Sequence, residues 1–185
     1  MSAPGTAFRP MPDSSRAALY FTTVDPQGDD AMALLREAAL EARALYPELF
    51  PPGAPWPDNP PTPERGVYLV AYADGKPVAC GALRPLDADT AELRRMFVTA
   101  SSRRQGIAKA MLAELEMQAA RLGFRRMRLE TGNRQASAMA LYEQQGFRLI
   151  PPFGEYVGDP VSVCFEKILG SATKSADSVQ GLESA

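Results

Sequence analysis

The sequence predicts a layered α/β (α+β) domain with a mixed sheet and flanking helices, and three observations predict it. Two extended apolar segments, Val67–Ala73 and Pro77–Arg84, are joined by Asp74-Gly75, the dipeptide of a tight hairpin. A third, Thr90–Val98, is followed by a glycine-containing loop and a helical stripe running to Leu122. Another extended segment, Arg125–Glu130, comes next. That succession is a strand–helix–strand crossover, right-handed by the rule for such units, and it sets a parallel pair within a sheet that also contains hairpins.

Taken in order, Ala18–Val24 is aromatic and β-branched and reads as a first strand. Asp30–Tyr46 carries Met32, Leu34, Leu35, Ala38, Ala39, Ala42 and Leu45 on one helical stripe, with Asp29 or Asp30 expected as its cap. From Pro47 to Pro63 there are eight prolines around Trp56, so neither a helix nor a central strand can run through. This is a long loop, in which Trp56 either walls a substrate site or pins the loop to the body. In the crossover helix Ile107, Met111, Leu115 and Leu122, with Ala108, Leu112 and Ala119 alongside, form the core face, and Gly123 ends it. Ala136–Gln145 is a shorter helix stopped by Gly146, and Phe147–Ile150 and Val161–Lys167 close the sheet. One domain over residues 16–169 accounts for these elements. The Pro/Ser-rich 1–15 and the small, polar 170–185 are expected to be unordered.

Composition excludes several chemistries. The chain of 185 residues has no histidine, so neither Ser-His-Asp nor Cys-His nucleophilic machinery can be built from it. Zinc sites of the usual His-containing kinds are excluded too, and no metal is expected. Cys80 and Cys164 are too few for a four-thiolate site or a disulfide framework, and each lies in an apolar stretch, as a small buried hydrophobe does. The longest apolar runs fall well short of a membrane span and Met1–Pro12 has no hydrophobic signal core, so the expected location is cytoplasmic, with no membrane partner. A net charge of -2 argues against a nucleic-acid partner. Between Glu92 and Glu130, however, nine Arg or Lys stand against four Glu. This local excess suits a ligand carrying several phosphates.

The excess surrounds Arg103-Arg104-Gln105-Gly106-Ile107-Ala108, a basic turn between a strand and a helix N-terminus. The first helical N–H groups lack intrahelical partners and the helix dipole adds positive charge there, so the turn is an anion cradle. Gly106 lets a diphosphate approach without a Cβ in the way, Ala108 keeps the next contact nearly as bare, and Arg103 and Arg104 add charge. The hexapeptide fits Arg/Gln-x-x-Gly-x-Gly/Ala. With Ala91–Val98 before it and Ala140-Leu141-Tyr142-Glu143-Gln144-Gln145-Gly146-Phe147 after it, the chain resembles the GNAT superfamily of acyl-CoA-dependent N-acetyltransferases. The resemblance runs roughly from Ala17 to Leu169 and is strongest from Thr90 to Phe147.

The resemblance implies the GNAT fold, with a mixed, mostly antiparallel central sheet, and direct transfer of an acetyl group from acetyl-CoA to an amine in a ternary complex. It implies that Met96, Phe97 and Val98 line the cofactor and that Arg103 through Lys109 grip its pyrophosphate, with the Val98 N–H offered to the thioester carbonyl. It assigns Tyr142 to protonating the departing thiolate, the alternative being a packing tyrosine. The asparagine that bonds the pantetheine arm in the family is replaced here by Gln135, with Asn133 two positions earlier. Glu92 is the candidate general base, the alternative being a salt bridge to Arg94 or Arg128. It precedes Val98 by six residues, so strand alternation is expected to set both side chains on one face.

Glu130-Thr131-Gly132 and Pro152-Phe153-Gly154-Glu155-Tyr156 resemble a bacterial subgroup of mostly unassigned substrate, and a homodimer is compatible with it. Glu155 and Asp159 are candidates to attract a cationic amine. Two other readings compete. A dinucleotide-binding protein lacks support, because neither G-x-G-x-x-G nor a phosphate-loop Lys-Ser/Thr follows the strand. A non-catalytic acyl-CoA-binding or protein-interaction module on the same fold is the alternative to an enzyme, and Glu92, Arg103, Gly106 and Tyr142 argue against it.

Overall fold

The computed structural model describes residues 18–170. The segments expected to be unordered, 1–15 and all but Gly170 of 170–185, lie outside the described residues, as do 16 and 17 of the predicted domain. The strands are β1 (Leu19–Thr23), β2 (Val67–Ala73), β3 (Lys76–Pro85), β4 (Thr90–Val98), β5 (Arg126–Gly132), β6 (Arg148–Ile150) and β7 (Ser162–Ile168). The helices are α1 (Asp29–Leu45), α2 (Ile107–Arg121) and α3 (Ala136–Gln144). The strands form one sheet in the order β1-β2-β3-β4-β5-β7-β6. Only β4 and β5 pair in parallel, joined through α2 as the crossover requires.

The Asp74-Gly75 turn holds both residues at positive φ, 50° and 74°, which matches the twist of the strands it joins. On one face of the sheet Met111, Leu112 and Leu115 of α2 pack with Leu129, Phe165 and Tyr142. On the other, Ala31 and Leu34 of α1 pack on Tyr68, Val70 and Cys80. Contrary to the expected aspartate cap, Gly28 is the N-cap of α1, and it makes no side-chain cap bond. Asp29 and Asp30 lie in the first turn, where their charge suits the dipole, and the Asp30 carboxylate instead accepts the Tyr72 hydroxyl at 2.7 Å.

The proline-rich loop is pinned. Trp56 lies against the guanidinium groups of Arg43 and Arg36, at 4.3 and 4.9 Å, and Arg43 also donates to the carbonyls of Ala54 and Pro55. Farther along, Asn59 is buried, donates to the Pro26 carbonyl and accepts from Arg95 Nε at 2.8 Å.

Arg95 marks the main irregularity of the sheet. Across the β3–β4 ladder Cys80 faces Phe97 and Ala82 faces Arg94, so Arg95 and Met96 together oppose Gly81. This is a β-bulge, with Arg95 at φ 58°. The extra residue reverses the alternation: Ala91, Leu93 and Val98 all join the core beneath α2, while Phe97 joins the core beneath α1. Glu92, out of phase with Ala91 and Leu93, therefore lies on the α1 side, on the opposite face from the Val98 side chain. The expectation that both share a face fails because strict period two does not survive a bulge.

Gly81 makes room for α2 at this point, since a Cβ there would sit 2.5 Å from Leu115 Cδ1. Gly81→Val should destabilise the fold by about 1–3 kcal/mol through overpacking. Urea denaturation checks this, with a lowered midpoint and an unchanged slope expected.

Candidate active site

The bulge coincides with the end of the β4–β5 ladder. Pairing between these strands covers Thr90–Leu93 against Arg126–Leu129 and stops there, so Glu130–Gly132 keep only their β7 partners on the other edge of β5. The strands splay from Arg94 onward. Thr99 N–H donates to the Val78 carbonyl, which makes that facing couple a hydrogen-bonded one. Ala79 and Val98, the next couple, are then non-hydrogen-bonded, so the N–H and C=O of Val98 point away from β3 into the splay. The Val98 carbonyl accepts Arg103 Nε at 3.0 Å. Met96 and Phe97 continue this wall, packing against the cores beneath α2 and α1 respectively.

Past the splay the basic turn leads into α2. Gly106 is its N-cap, left-handed at φ 80°, and no side chain caps the helix. The first intrahelical bond runs from Ala110 N–H to the Gly106 carbonyl, so the N–H groups of Ile107, Ala108 and Lys109 have no acceptor in the helix. A Cβ on Gly106 would meet nothing within 4 Å. The space in front of the helix end is therefore open, as a diphosphate requires.

Ile107 is buried beneath this end and Ala108 is partly buried. Gln105 bonds back to the Ser101 carbonyl. Arg103 Nη2 donates to both oxygens of the Glu41 carboxylate, at 2.7 and 2.6 Å, tying the turn to α1. Among the described residues neither Arg104 nor Lys109, both exposed, makes an ion pair.

Tyr142 projects from α3 into the core beside Phe147 and Phe165. Only 5% of it is exposed, and its hydroxyl makes no hydrogen bond among the described residues. Burial, and secondarily the charge of Glu130, push its ionisation far above the ordinary tyrosine value, so it stays protonated. Gln135 is the exposed N-cap of α3, and its amide oxygen accepts from Thr131 at 3.3 Å. The ring thus packs against two phenylalanines, while the hydroxyl has no hydrogen-bond partner among the described residues.

Glu92 is fully buried and engaged. It accepts from Arg84 Nε and from the Tyr156 hydroxyl at 2.6 Å, with Arg94 3.8 Å away. Arg128, the other suggested partner, instead donates to Glu166 at 2.6 Å. Glu155, expected to attract a cation, is already held by Arg84 at 2.7 Å and Arg94 at 2.9 Å. These arginines hold its carboxyl below the ordinary range. Tyr156 is pushed far up by burial and by its bond to Glu92.

Glu130, the first β5 residue beyond the last β4 partner, is half-buried and, among the described residues, accepts only from Ser162 Oγ at 2.7 Å. Burial raises its pKa above the ordinary value despite that bond. Cys80 is buried and donates to the Arg95 carbonyl, and burial pushes its thiol up to about 11, so it stays a thiol.

The model of the acetyltransferase (GNAT) family matches residues 32–147, well over half of the chain. The chain belongs to this family. It is 40% identical over 103 residues, 55% of its own length and 67% of the relative's, to an IAA acetyltransferase from Azospirillum brasilense. It is also similar to an acyl-CoA N-acyltransferase structure from Klebsiella pneumoniae, with 29% identity, a TM-score of 0.68, and coverage of 82% of this chain and 98% of that one. A GNAT acetyltransferase from Elizabethkingia anophelis, solved with acetyl-CoA bound, shares the fold at 17% identity and a TM-score of 0.59, over 82% of this chain and 98% of that one.

The protein is accordingly a GNAT N-acetyltransferase. Arg84, Glu130 and Tyr156, to which the sequence assigns no role, are brought to this region by the structure. Period-two counting from Met127 and Leu129 does place Glu130 off the core face, but only the end of the β4 ladder reveals that it borders a gap.

Because the folded pKa of Glu130 is raised, its ionisation opposes folding. Its contribution is favourable below the ordinary glutamate value and is lost as pH rises through the raised folded value. Glu130→Gln should therefore gain stability over wild type at neutral pH, with the gain fading as pH falls through the raised folded value and gone once it is below the ordinary 4.5. Melting temperatures across pH 4–8 check the sign.

Proposed function

We propose that this enzyme transfers an acetyl group from acetyl-CoA directly to a primary amine within a ternary complex, with the thioester lodged in the β4–β5 splay. The observation that carries the reading is the backbone arrangement. The Val98 N–H points into a gap where the ladder has ended, and an uncapped helix N-terminus behind open space at Gly106 lies a few residues further along the chain. The first donor suits a carbonyl oxygen gaining negative charge, and the second suits a diphosphate. Arg104 and Lys109 supply phosphate charge, while Arg103 braces the turn through Glu41. Gln135 offers its amide N–H to the pantetheine arm.

The amine must shed a proton as its nitrogen bonds to the acetyl carbon. Glu92 is the less suitable acceptor, because each of its oxygens already accepts a bond, from Arg84 and from Tyr156, and it is fully buried. Glu130 takes that proton in our reading: it borders the splay, it has a single bond partner, and burial raises its basicity toward working pH. Glu92 becomes the positioning carboxylate that fixes Arg84, Arg94 and Tyr156 around the acceptor side. The Tyr142 hydroxyl, protonated and unbonded, donates to the departing sulfur as the carbon–sulfur bond breaks. A cytoplasmic location fits this reading, and no described helix is long and apolar enough to cross a membrane.

Acetyl-CoA should raise the melting temperature by mass action, and ATP or NAD should do so much less. Gly106→Val should abolish most of that shift, because the new side chain fills the space in front of the helix end and strains the left-handed φ. Equal ligand shifts in variant and wild type would disprove the cradle.

Tyr142→Phe and Glu130→Gln should each slow transfer by roughly 100- to 10,000-fold with little change in acetyl-CoA affinity. The Glu130 variant should lose most at low pH, where the acceptor is protonated, and recover partly as pH rises. Thiol release measured against pH under saturating acetyl-CoA decides both roles, and profiles that superimpose on wild type would remove them.

A further inference from the structure

We propose that Arg84 and Arg94 form a carboxylate-binding fork for the acceptor, which the Glu155 side chain fills as an internal stand-in when no acceptor is bound. The substrate class is then an amine that also carries a carboxylate. The inference rests on the amine-transfer reading and narrows it.

The fork is built from rigid parts. Arg84 and Arg94 stand on neighbouring strands on the α1 side of the sheet, and the buried Glu92 holds Arg84 through Nε while lying 3.8 Å from Arg94 Nη1. Arg84 Nη2 and Arg94 Nη1 are left to converge on one oxygen of Glu155, at 2.7 and 2.9 Å. Planar guanidinium groups converging in this way match a carboxylate. Glu92 neutralises one of the two positive charges, so one remains for an outer anion.

Glu155 fills that place loosely. It sits on a single 3-10 turn, Gly154–Tyr156, and its side chain is 59% exposed. A surface pair of this kind holds weakly. Rotating the Glu155 side chain alone would vacate the fork, while Tyr156 stays bonded to Glu92. The surrounding charge remains balanced if an acceptor carboxylate takes its place.

The fork also lies where an acceptor must be. Arg94 is the first β4 residue past the last β5 partner, at the mouth of the splay, and its charge acts on Glu130 across it. Along β3, three residue steps separate the partners of Arg94 and Val98, about 10 Å at strand spacing. The carboxylate end of an acceptor can thus rest on the arginines while its amine reaches the thioester and Glu130. A polycationic amine would meet the arginines instead.

The test uses the full chain with acetyl-CoA and matched acceptors: glycine, β-alanine, 4-aminobutyrate and 4-(aminomethyl)benzoate, each beside its primary amide. Thiol release gives kcat/KM, and calorimetry in the presence of CoA gives acceptor binding. At least one acid should exceed its amide by about 10- to 100-fold in either readout, as expected for bonds to a charged group. Arg94→Met should bring that ratio close to one, and Arg94→Lys should restore part of it. Glu155→Gln should lower KM or Kd for the acid by about 2- to 5-fold by weakening the internal competitor.

Acids and amides that bind and react alike, or an Arg94→Met variant that weakens both equally, would overturn the fork while leaving acetyl transfer intact. If no amine releases thiol, the transfer reading fails, and calorimetry still decides the fork. Acid binding abolished by Arg94→Met supports it, and acid binding that is absent or insensitive to Arg94 overturns it.

Discussion

The site depends on one extra residue in β4. The bulge at Arg95–Met96 opposite Gly81 shifts the strand's phase, and β4 parts from β5 at the neighbouring position. A regular strand would continue the ladder and leave no inward-facing N–H for a ligand. The bulge puts a positive φ on a non-glycine residue, and the surroundings hold it there. The Arg95 carbonyl accepts the Cys80 thiol, and its guanidinium reaches Asn59 and the Asp58 carbonyl of the proline-rich loop. The loop therefore braces the irregularity, and it is braced in turn where its Trp56 packs on Arg43 of α1.

Around this backbone the charges divide into two groups on two sides of the splay. At the helix end, the Arg103–Glu41 pair stiffens the turn and leaves Arg104 and Lys109 without ion-pair partners among the described residues. On the sheet face, the buried Glu92 gathers Arg84, Arg94 and Tyr156. A fully buried carboxylate needs such partners, because burying an unpaired one costs more than a domain of this size can spare. Glu130 is the exception, a half-buried carboxylate with one hydroxyl donor among the described residues, and its proton affinity is raised by burial that this bond does not offset. Three carboxylates within one face thus have three environments: clamped in the core at Glu92, exposed and paired at Glu155, and half-buried with one donor at Glu130.

Much of the fold was legible in the sequence because short-range rules govern it. Asp74-Gly75 demands a hairpin, the stripe from Ile107 to Ala119 demands a helix with one buried side, and Gly106, Gly123 and Gly146 mark helix ends where φ is positive. Thr90–Val98 has the predicted bounds. The uncapped helix end at Gly106 was legible for the same reason, since a strand, a glycine and a helix follow one another along the chain.

The sequence by itself determined the elements, their order, the helix-end cradle and the position of Tyr142, all of which depend on residues close in sequence. Only the tertiary structure decided which carboxylate borders the splay, because that choice turns on strand pairing. Glu92 was expected to face with Val98, and a bulge specified by Gly81 and α2 on one side and Asn59 on the other turned it away. Its partner Arg84 is eight residues distant and Tyr156 sixty-four, so no local pattern connects them. Glu130 borders a gap because a ladder stops there, and the end of a ladder is a property of two strands that neither sequence segment carries alone.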